Sequence, residues 1–569
     1  MRGHFAAVLL AGVSFAGLAQ SPLPALQAGL PGEPQTMRGS PWNAEPFPMK
    51  FGNQSSSIGL TLAGFDGQTA FMNSVLTPDS MEMAYGFPNP FHLIHVGRSG
   101  ADPIKSEIEE SSKTKFKASS YVPLDSWIYP AFDRLAAMGY FPEASAAIRP
   151  WTRLECARLL AKAREFSDLD DEVSSPLLAA LKREFASETS VTGGAINREA
   201  QVENVYGRST SIAGTPLRDA FHFGQTLVDD FGRPYGKGEN AITGATLRAE
   251  DGPVAVYLRG EYQYASALPA YGEAAQQAIA RYDGLPFGWN LRDGTTSRMR
   301  LIEAYAAVNL SNWQFSFGQQ GLWWGPDRST SLILSNNAEA MPMLRLANVS
   351  PLKMPGFLSV AGPVHFELFL ARQGGVHYVG LGPNFNLYGT AATPLNPPPY
   401  VWGAALSFKP TPNFEFGFGQ TVIFAGYGRP LNFKTFLHTF SVLGNGQAVD
   451  PGKRAEDFNF SYHLPGLRRS VVAYSELFAW DDPIEGKFVA RFAMDPGLYI
   501  PRLPRLPKMD LRLEGVYTNL PKLLDQAYFY SNAHYPQGYT NYGQIIGSWV
   551  GRQGIGGQAS SSYWLTART

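Results

Sequence analysis

From about Asn197 onward, apolar and polar residues alternate with a period of two, the signature of strands with two unlike faces. Val254, Val256, Leu258, Tyr262 and Tyr264 alternate with Ala255, Tyr257, Arg259, Glu261 and Gln263. Val364, Phe366, Leu368 and Leu370 do so against His365, Glu367 and Phe369, and Met509, Leu511, Leu513 and Tyr517 against Asp510, Arg512 and Glu514. The same rhythm places Trp313, Phe315 and Phe317 on one face and Gln314, Ser316 and Gly318 on the other. Each strand therefore has one greasy face and one face that carries amides and charges. Polar or Gly/Pro-rich segments interrupt the alternation at Asp229 to Asn240, Gly374 to Tyr400, His438 to Asp457 and Gln526 to Tyr542.

Upstream the period changes to that of a helix. Ser126 precedes Trp127, Ala131, Leu135 and Met138 at helical spacing, and Gly139 ends the run. Thr152 followed by Glu155 reads as a capping box for a second helix with Leu154, Leu159 and Leu160 on its apolar stripe. Leu177, Leu178, Leu181 and Phe185 predict a third, over Ser175 to Ala186. These make a small helical unit over residues 121–190, near the lower size limit for independent folding and steadier when docked on something larger.

Alternation alone fits a soluble β-sandwich, with its apolar faces turned inward, as well as a membrane barrel, with its apolar faces turned to lipid. Composition favours the barrel. Charged residues make up only 17% of the 569, aromatics reach 13%, and there are 58 glycines, a mixture suited to many strands, many turns and aromatic girdles. The N-terminus supports export: Met1-Arg2, an apolar run from Phe5, then Gly17-Leu18-Ala19 before Gln20 read as a signal peptide over residues 1–19. Residues 20–120 read as a Pro/Gly/Ser-rich linker, and residues 191–569 as a large antiparallel transmembrane β-barrel. At about ten residues per strand and ten per connection, that stretch holds roughly 16–18 strands. Long connections belong outside the cell and short turns on the periplasmic side, so the four interruptions are expected at the external face. A net charge of −1 gives no overall field toward nucleic acid.

Candidate chemistry is sparse. Cys156 is the sole cysteine, so the chain forms no internal disulfide, and its place on the second helix makes it a small buried hydrophobe. His92 and His95 lie at metal-ligand spacing, but Pro88 and Pro90 oppose a helix there. The acidic pairs Asp229-Asp230 and Asp481-Asp482 read as solvated loop residues as readily as a glycosidase pair. Nucleophile elbow, zinc-protease and phosphate-loop signatures are absent; no catalytic residue, cofactor or metal ligand is assigned. The one specific stretch is Trp323-Trp324-Gly325-Pro326, with Arg328, Asn336 and Asn337 following. Aromatic rings beside amides and a guanidinium suit the flat, polar face of a sugar, so these five are the candidate ligand-binding residues. They equally fit a structural loop folded into the barrel interior.

Tyr121-Val-Pro-Leu-Asp-Ser-Trp-Ile-Tyr-Pro130, Leu135-Ala-Ala-Met-Gly-Tyr140, Arg149-Pro-Trp-Thr-Arg-Leu-Glu155, Trp324-Gly-Pro326 and Ser331-Leu-Ile-Leu-Ser-Asn-Asn337 together resemble the Wzi-like capsule-assembly proteins. The resemblance runs from about Tyr121 onward. It implies an outer-membrane β-barrel of Gram-negative bacteria with a helical unit near its periplasmic end, acting as a lectin for capsular polysaccharide rather than as an enzyme, with outer-membrane lipid as its other partner. A porin-like channel and a secreted carbohydrate-active enzyme are the rival readings. The last residues, Tyr563 to Thr569, lack the terminal aromatic usual in closing strands. Either the sequence given stops short of those strands or its closing strand is unusual.

Overall fold

The structure, a computed structural model, describes residues 116–163, 173–283, 287–289, 294–381, 387–388, 395–440, 452–464, 466–467, 469–480, 492–519, 529–532 and 534–566, with the backbone of 13–15. The signal-peptide and linker readings, His92, His95 and the Asp481-Asp482 pair thus fall outside the described residues, apart from residues 13–15 and 116–120.

Seventeen strand segments form one large sheet, within the number expected from chain length. Its long members are β1 (Arg198–Ile212), β2 (Gly238–Asp251), β3 (Val254–Ala265), β4 (Thr296–Leu310), β5 (Trp313–Gln320), β6 (Met341–Asn348), β7 (Pro363–Arg372), β8 (Tyr400–Thr411), β9 (Phe414–Phe424), β10 (Lys453–His463) and β11 (Val472–Ala479). β12 (Phe492–Met494) and β13 (Gly497–Ile500) both lie beside β11, followed by β14 (Leu511–Tyr517) and β15 (Ile555–Ser560). Every pairing is antiparallel, and from β1 to β11 they join neighbours along the chain, the up-and-down order of a barrel wall; the seventeenth segment, Val13–Phe15, pairs with β15. No helix among the described residues is long and apolar enough to cross a membrane.

Which way the strand faces point decides the class. Val254, Val256, Leu258, Tyr262 and Tyr264 are exposed, while Tyr257, Arg259, Glu261 and Gln263 on the same strand are buried. Register extends this across strands: Phe317 pairs with Leu344, and Leu247 with Leu258, all four exposed. Phe317 is 67% exposed whereas Glu261 and Glu367 are at 0%. A water-soluble sheet would reverse this order, since apolar area gains on leaving water and a buried charge costs heavily unless paired. Here the ionic rows are enclosed and the apolar rows face outward, as lipid requires.

Connections differ by end. Residues 252–253, 311–312 and 412–413 are tight turns, and 464–471 and 501–510 are short; residues 213–237, 266–295, 373–399, 425–452 and 518–554 link strands at the opposite end. The helical unit sits at the short-turn end. It comprises α1 (Ile128–Ala137), α2 (Arg153–Ala163), α3 (Ser174–Glu184) and α4 (Ala186–Thr192). α4 has no apolar stripe of its own, which is why the spacing argument did not reveal it. Thr152 Oγ1 accepts from Glu155 N at 3.1 Å, forming half of the capping box, but the Glu155 carboxylate turns to Arg158 instead. Phe132, Leu135, Leu160, Leu181 and Phe185 are fully or nearly fully buried in one core. Cys156 lies in that core at 0% exposure; burial first, then Glu155, pushes its thiol well above the usual range.

Docking of this unit is ionic as much as apolar. Arg153 on α2 reaches Glu184 (3.2 Å), Glu188 and, on β1, Glu203 (3.0 Å), while Arg248 of β2 reaches Glu188 at 3.0 Å. Burial raises the Glu188 carboxyl, but Arg153 and Arg248 outweigh it and hold it below the usual range. Asp133 on α1 behaves alike: burial opposes ionisation, and Arg328, Arg149 and Arg512 prevail. Arg134 donates to the carbonyls of Pro501 (3.0 Å) and Pro507 (2.8 Å) in a short connection.

Candidate functional site

Two of the long connections do not stay outside. The described residues of the interruptions expected at the external face lie at the long-connection end, but Phe231 from one and Tyr530 and Tyr539 from another fold inward, because their side chains are too apolar for solvent. Phe231, Tyr530 and Tyr539 are 1% exposed or less, and Leu332, Ile333, Phe529 and Ile545 are fully buried with them. Residues 321–340 and 529–550 thereby form a plug inside the wall. Tyr530 Oη donates to Leu332 O (2.7 Å), Tyr539 Oη to Ile333 O (2.8 Å), and Trp549 Nε1 to Ser329 O (2.7 Å). At the far side of the plug, Trp323 and Trp324 pair as a short ladder with Arg149 and Ile148 of the helical unit. The lumen is thus filled from both ends.

The five residues singled out from sequence all belong to this plug, and the structure gives each an internal role. Trp324 Nε1 donates to Glu367 Oε1 on β7 at 2.9 Å, and its ring lies 5.4 Å from that of Phe369. Trp323 Nε1 donates to Asp327 O at 3.1 Å. Arg328 binds Asp133 on α1 at 2.7 Å and lies over the Tyr129 ring. Asn337 Nδ2 donates to Ile545 O at 3.0 Å and Oδ1 accepts from Asp229 N, while Asn336 O accepts from Phe231 N. Both tryptophans and both asparagines are buried. Trp323, Trp324 and Arg328 tie the plug to the wall and the helical unit, and Asn336 and Asn337 tie its segments together.

Toward the long-connection end, a second constellation remains partly open. Arg298 and Arg300 project from the start of β4 onto Glu339, with Arg298 Nη2 to Oε1 at 2.9 Å and Arg300 Nε to Oε2 at 2.8 Å. Arg300 also lies 5.2 Å over the Tyr542 ring. Their side chains retain 25% and 31% exposure, against 9% for Glu339. A small pocket adjoins them, lined by Gln320, Ser335, Asn336 and Glu339. In it Gln320 Nε2 and Asn336 Oδ1 have no hydrogen-bond partner. Two guanidiniums against one carboxylate, beside an aromatic face, can hold an acidic, hydroxyl-rich ligand, while the two amide atoms are closed off behind them. Sequence reading reached only Asn336 of this group. Arg298 and Arg300 alternate with Met299 as any strand would, so nothing in their spacing marks them.

Of the acidic pair Asp229-Asp230, Asp230 binds Arg208 Nη1 (2.8 Å) and Arg233 Nη1 (2.6 Å). It serves the lumen network that also holds Glu261 and Arg259.

Apolar rows outward, ionic rows enclosed and connections folded into the lumen define a transmembrane β-barrel with a filled interior. Residues 208–569, more than half of the chain, match the family described as capsule assembly protein Wzi, and the chain belongs to that family. Among solved structures, Escherichia coli Wzi is 19% identical, with a TM-score of 0.53 over 78% of this chain and 82% of that one. That protein is described as an outer-membrane protein involved in group 1 capsule assembly and a carbohydrate-binding β-barrel; at this identity the likeness speaks for the fold. The Pseudomonas aeruginosa protein OpdO, 10% identical over 64% of this chain and 77% of its own, has a TM-score of 0.27, too low to inform the fold. An uncharacterised 55.8 kDa protein of the Klebsiella pneumoniae cps region is 28% identical over 191 residues, 33% of this chain. The match spans 34% of that relative's own length, about a third. This chain is an outer-membrane β-barrel.

Proposed function

We propose that this chain is a non-enzymatic lectin that holds capsular or other surface polysaccharide at its long-connection end. The observation that carries this reading is the Arg298, Arg300, Glu339 and Tyr542 constellation. It faces the end where the external loops emerge, and its excess positive charge favours acidic sugars over neutral ones. Trp323, Trp324, Arg328 and Asn337 act in this reading as the rigid floor behind the site. Family membership and the carbohydrate binding described for Escherichia coli Wzi support it.

Titration calorimetry of the detergent-solubilised chain against an acidic and a neutral capsular polysaccharide tests the proposal. The acidic polymer should bind more tightly. Arg298→Ala with Arg300→Ala should weaken it by about tenfold or more, the scale of losing one charge-assisted contact. No binding at millimolar sugar, or a double variant that binds as the wild type does, would overturn it.

A further inference from the structure

The Trp-Trp-Gly-Pro-Asp stretch carries a second feature that sugar binding does not use. Asp327, at its end, lies beside Glu476 on β11 and Asp495 in the bend between β12 and β13, with one carboxylate oxygen of each within 4.8 Å of the others. All three are at 0% exposure. Among the described residues, no Lys, Arg or His lies within ion-pair distance of any of them. The nearby guanidiniums are engaged elsewhere, Arg328 with Asp133 at 2.7 Å and Arg512 with Glu514 at 3.5 Å.

Hydrogen bonds account for only part of the cluster. Glu476 Oε2 accepts from Leu332 N (2.7 Å) and Ser331 Oγ (3.4 Å), and Asp495 Oδ1 accepts from Glu476 N (2.6 Å). Glu476 Oε1, Asp495 Oδ2 and both oxygens of Asp327 have no donor. Unpaired carboxylates at full burial are among the most costly arrangements in a folded chain, and several acceptors converging on one point call for a cation or a proton. The backbone is also shaped around them: a Cβ on Gly325 would lie 1.6 Å from Glu476 Oε1, and its φ of +133° disfavours any side chain there.

We propose that Asp327, Glu476 and Asp495 form a buried site for one divalent cation of calcium size. Oxygens bound to one calcium ion at about 2.3–2.6 Å can lie up to about 5 Å apart, whereas magnesium's bonds of about 2.0–2.1 Å would draw them closer. Three carboxylates from three separate segments are a ligand set that a hard cation prefers. The ion would staple the plug loop to two wall segments. With all three residues at 0% exposure, it would enter as the barrel folds.

The test is refolding of the full chain from urea into detergent, in metal-stripped buffer alone or with calcium or magnesium chloride. Elemental analysis follows gel filtration. Terbium is a second probe, since Trp323 and Trp324 lie close enough in sequence to sensitise its emission. The expected results are about one calcium per chain, little magnesium, and terbium emission that calcium displaces. Asp327→Asn should lower bound calcium by about tenfold or more, and Glu476→Gln repeats the test if that variant does not fold. Wild-type chain that refolds equally without metal and carries none would overturn the site, with a proton shared among the three acids as the alternative occupant. Bound calcium that survives both substitutions would overturn it too. Sugar binding is measured separately and moves neither result.

Discussion

The barrel wall and the plug it encloses obey different rules. On the wall, what matters is which class of side chain faces which way: Val254, Leu258, Phe317 and Leu344 are exposed and any apolar residue would serve. In the plug particular residues meet particular partners, Trp324 on Glu367, Asn337 on Ile545, Tyr530 on Leu332. A wall built on class tolerates exchange within the class and fails on a change of class. An interior built on partners fails when one partner is lost, because the other stays buried and unsatisfied.

The sharpest break should come where the helical unit docks on the wall, another place built on partners. Arg153 satisfies Glu184, Glu188 and Glu203 at 2% exposure. Arg153→Ala leaves those carboxylates without their main counter-charge and should cost about 3–5 kcal/mol, the usual penalty for breaking a buried pair from one side. Denaturant unfolding in detergent measures it. Limited proteolysis between α2 and β1 should accelerate in the variant and not in the wild type.

A substitution of class on the wall should come next. Leu344→Arg, at an exposed position beside Phe317, should destabilise the inserted barrel by about 2–4 kcal/mol near the bilayer midplane, while Leu344→Val should have little effect. Folding into lipid vesicles across a denaturant series reads both. Equal behaviour of the two variants would mean that this face does not meet lipid.

Acid should act on the docking of the helical unit before it acts on the wall. Glu188 and Asp133 have folded-state carboxyls held below their usual range, and Glu143, bridged by Lys162 and Arg158, titrates at about 2, with burial working against that shift. A depressed folded pKa means the unfolded chain takes up protons first. The stabilisation is therefore complete above about pH 4–5 and is lost as pH falls through the folded values, that of Glu143 being about 2. Near-UV circular dichroism of the helical unit's aromatic core should change over that window while the strand signal holds. A unit that stayed docked to pH 2 would remove the ion pairs from the account of docking.

These contrasts also explain what could be read from the chain alone. Period-two alternation survives in sequence because the wall depends only on residue class, so strand faces were legible from it, their outward direction from composition, and the helical unit from its own helical spacing. The interior was not. Glu367, Tyr530 and Asp495 meet residues tens to hundreds of positions away, and no local spacing records such partners. Trp323-Trp324 was conspicuous as a pair too costly to leave in water, yet that cost is met by burial as well as by a ligand. Arg298, Arg300 and Glu339 were invisible for the same reason: charges on an inward face look alike whether they brace the wall or line a site.

The plug's effect on conduction sharpens the contrast without disturbing the fold. Aromatic side chains fill the lumen, with Trp324 and Trp480 at 1% exposure and Tyr530 and Tyr539 at 0%. The wild-type chain should be electrically silent in a planar bilayer, unlike an open porin. Trp324→Phe removes the donor to Glu367 and should cost about 1–3 kcal/mol, the range for a buried polar group left short of a partner. Glu367 keeps Arg345, with Nε at 3.0 Å, so the lower end is expected. That loss loosens the seam between plug and wall without removing either, and it should appear as brief, rare openings rather than a steady current. A large constant conductance in the wild type would place the plug's packing, and the porin alternative, back in question.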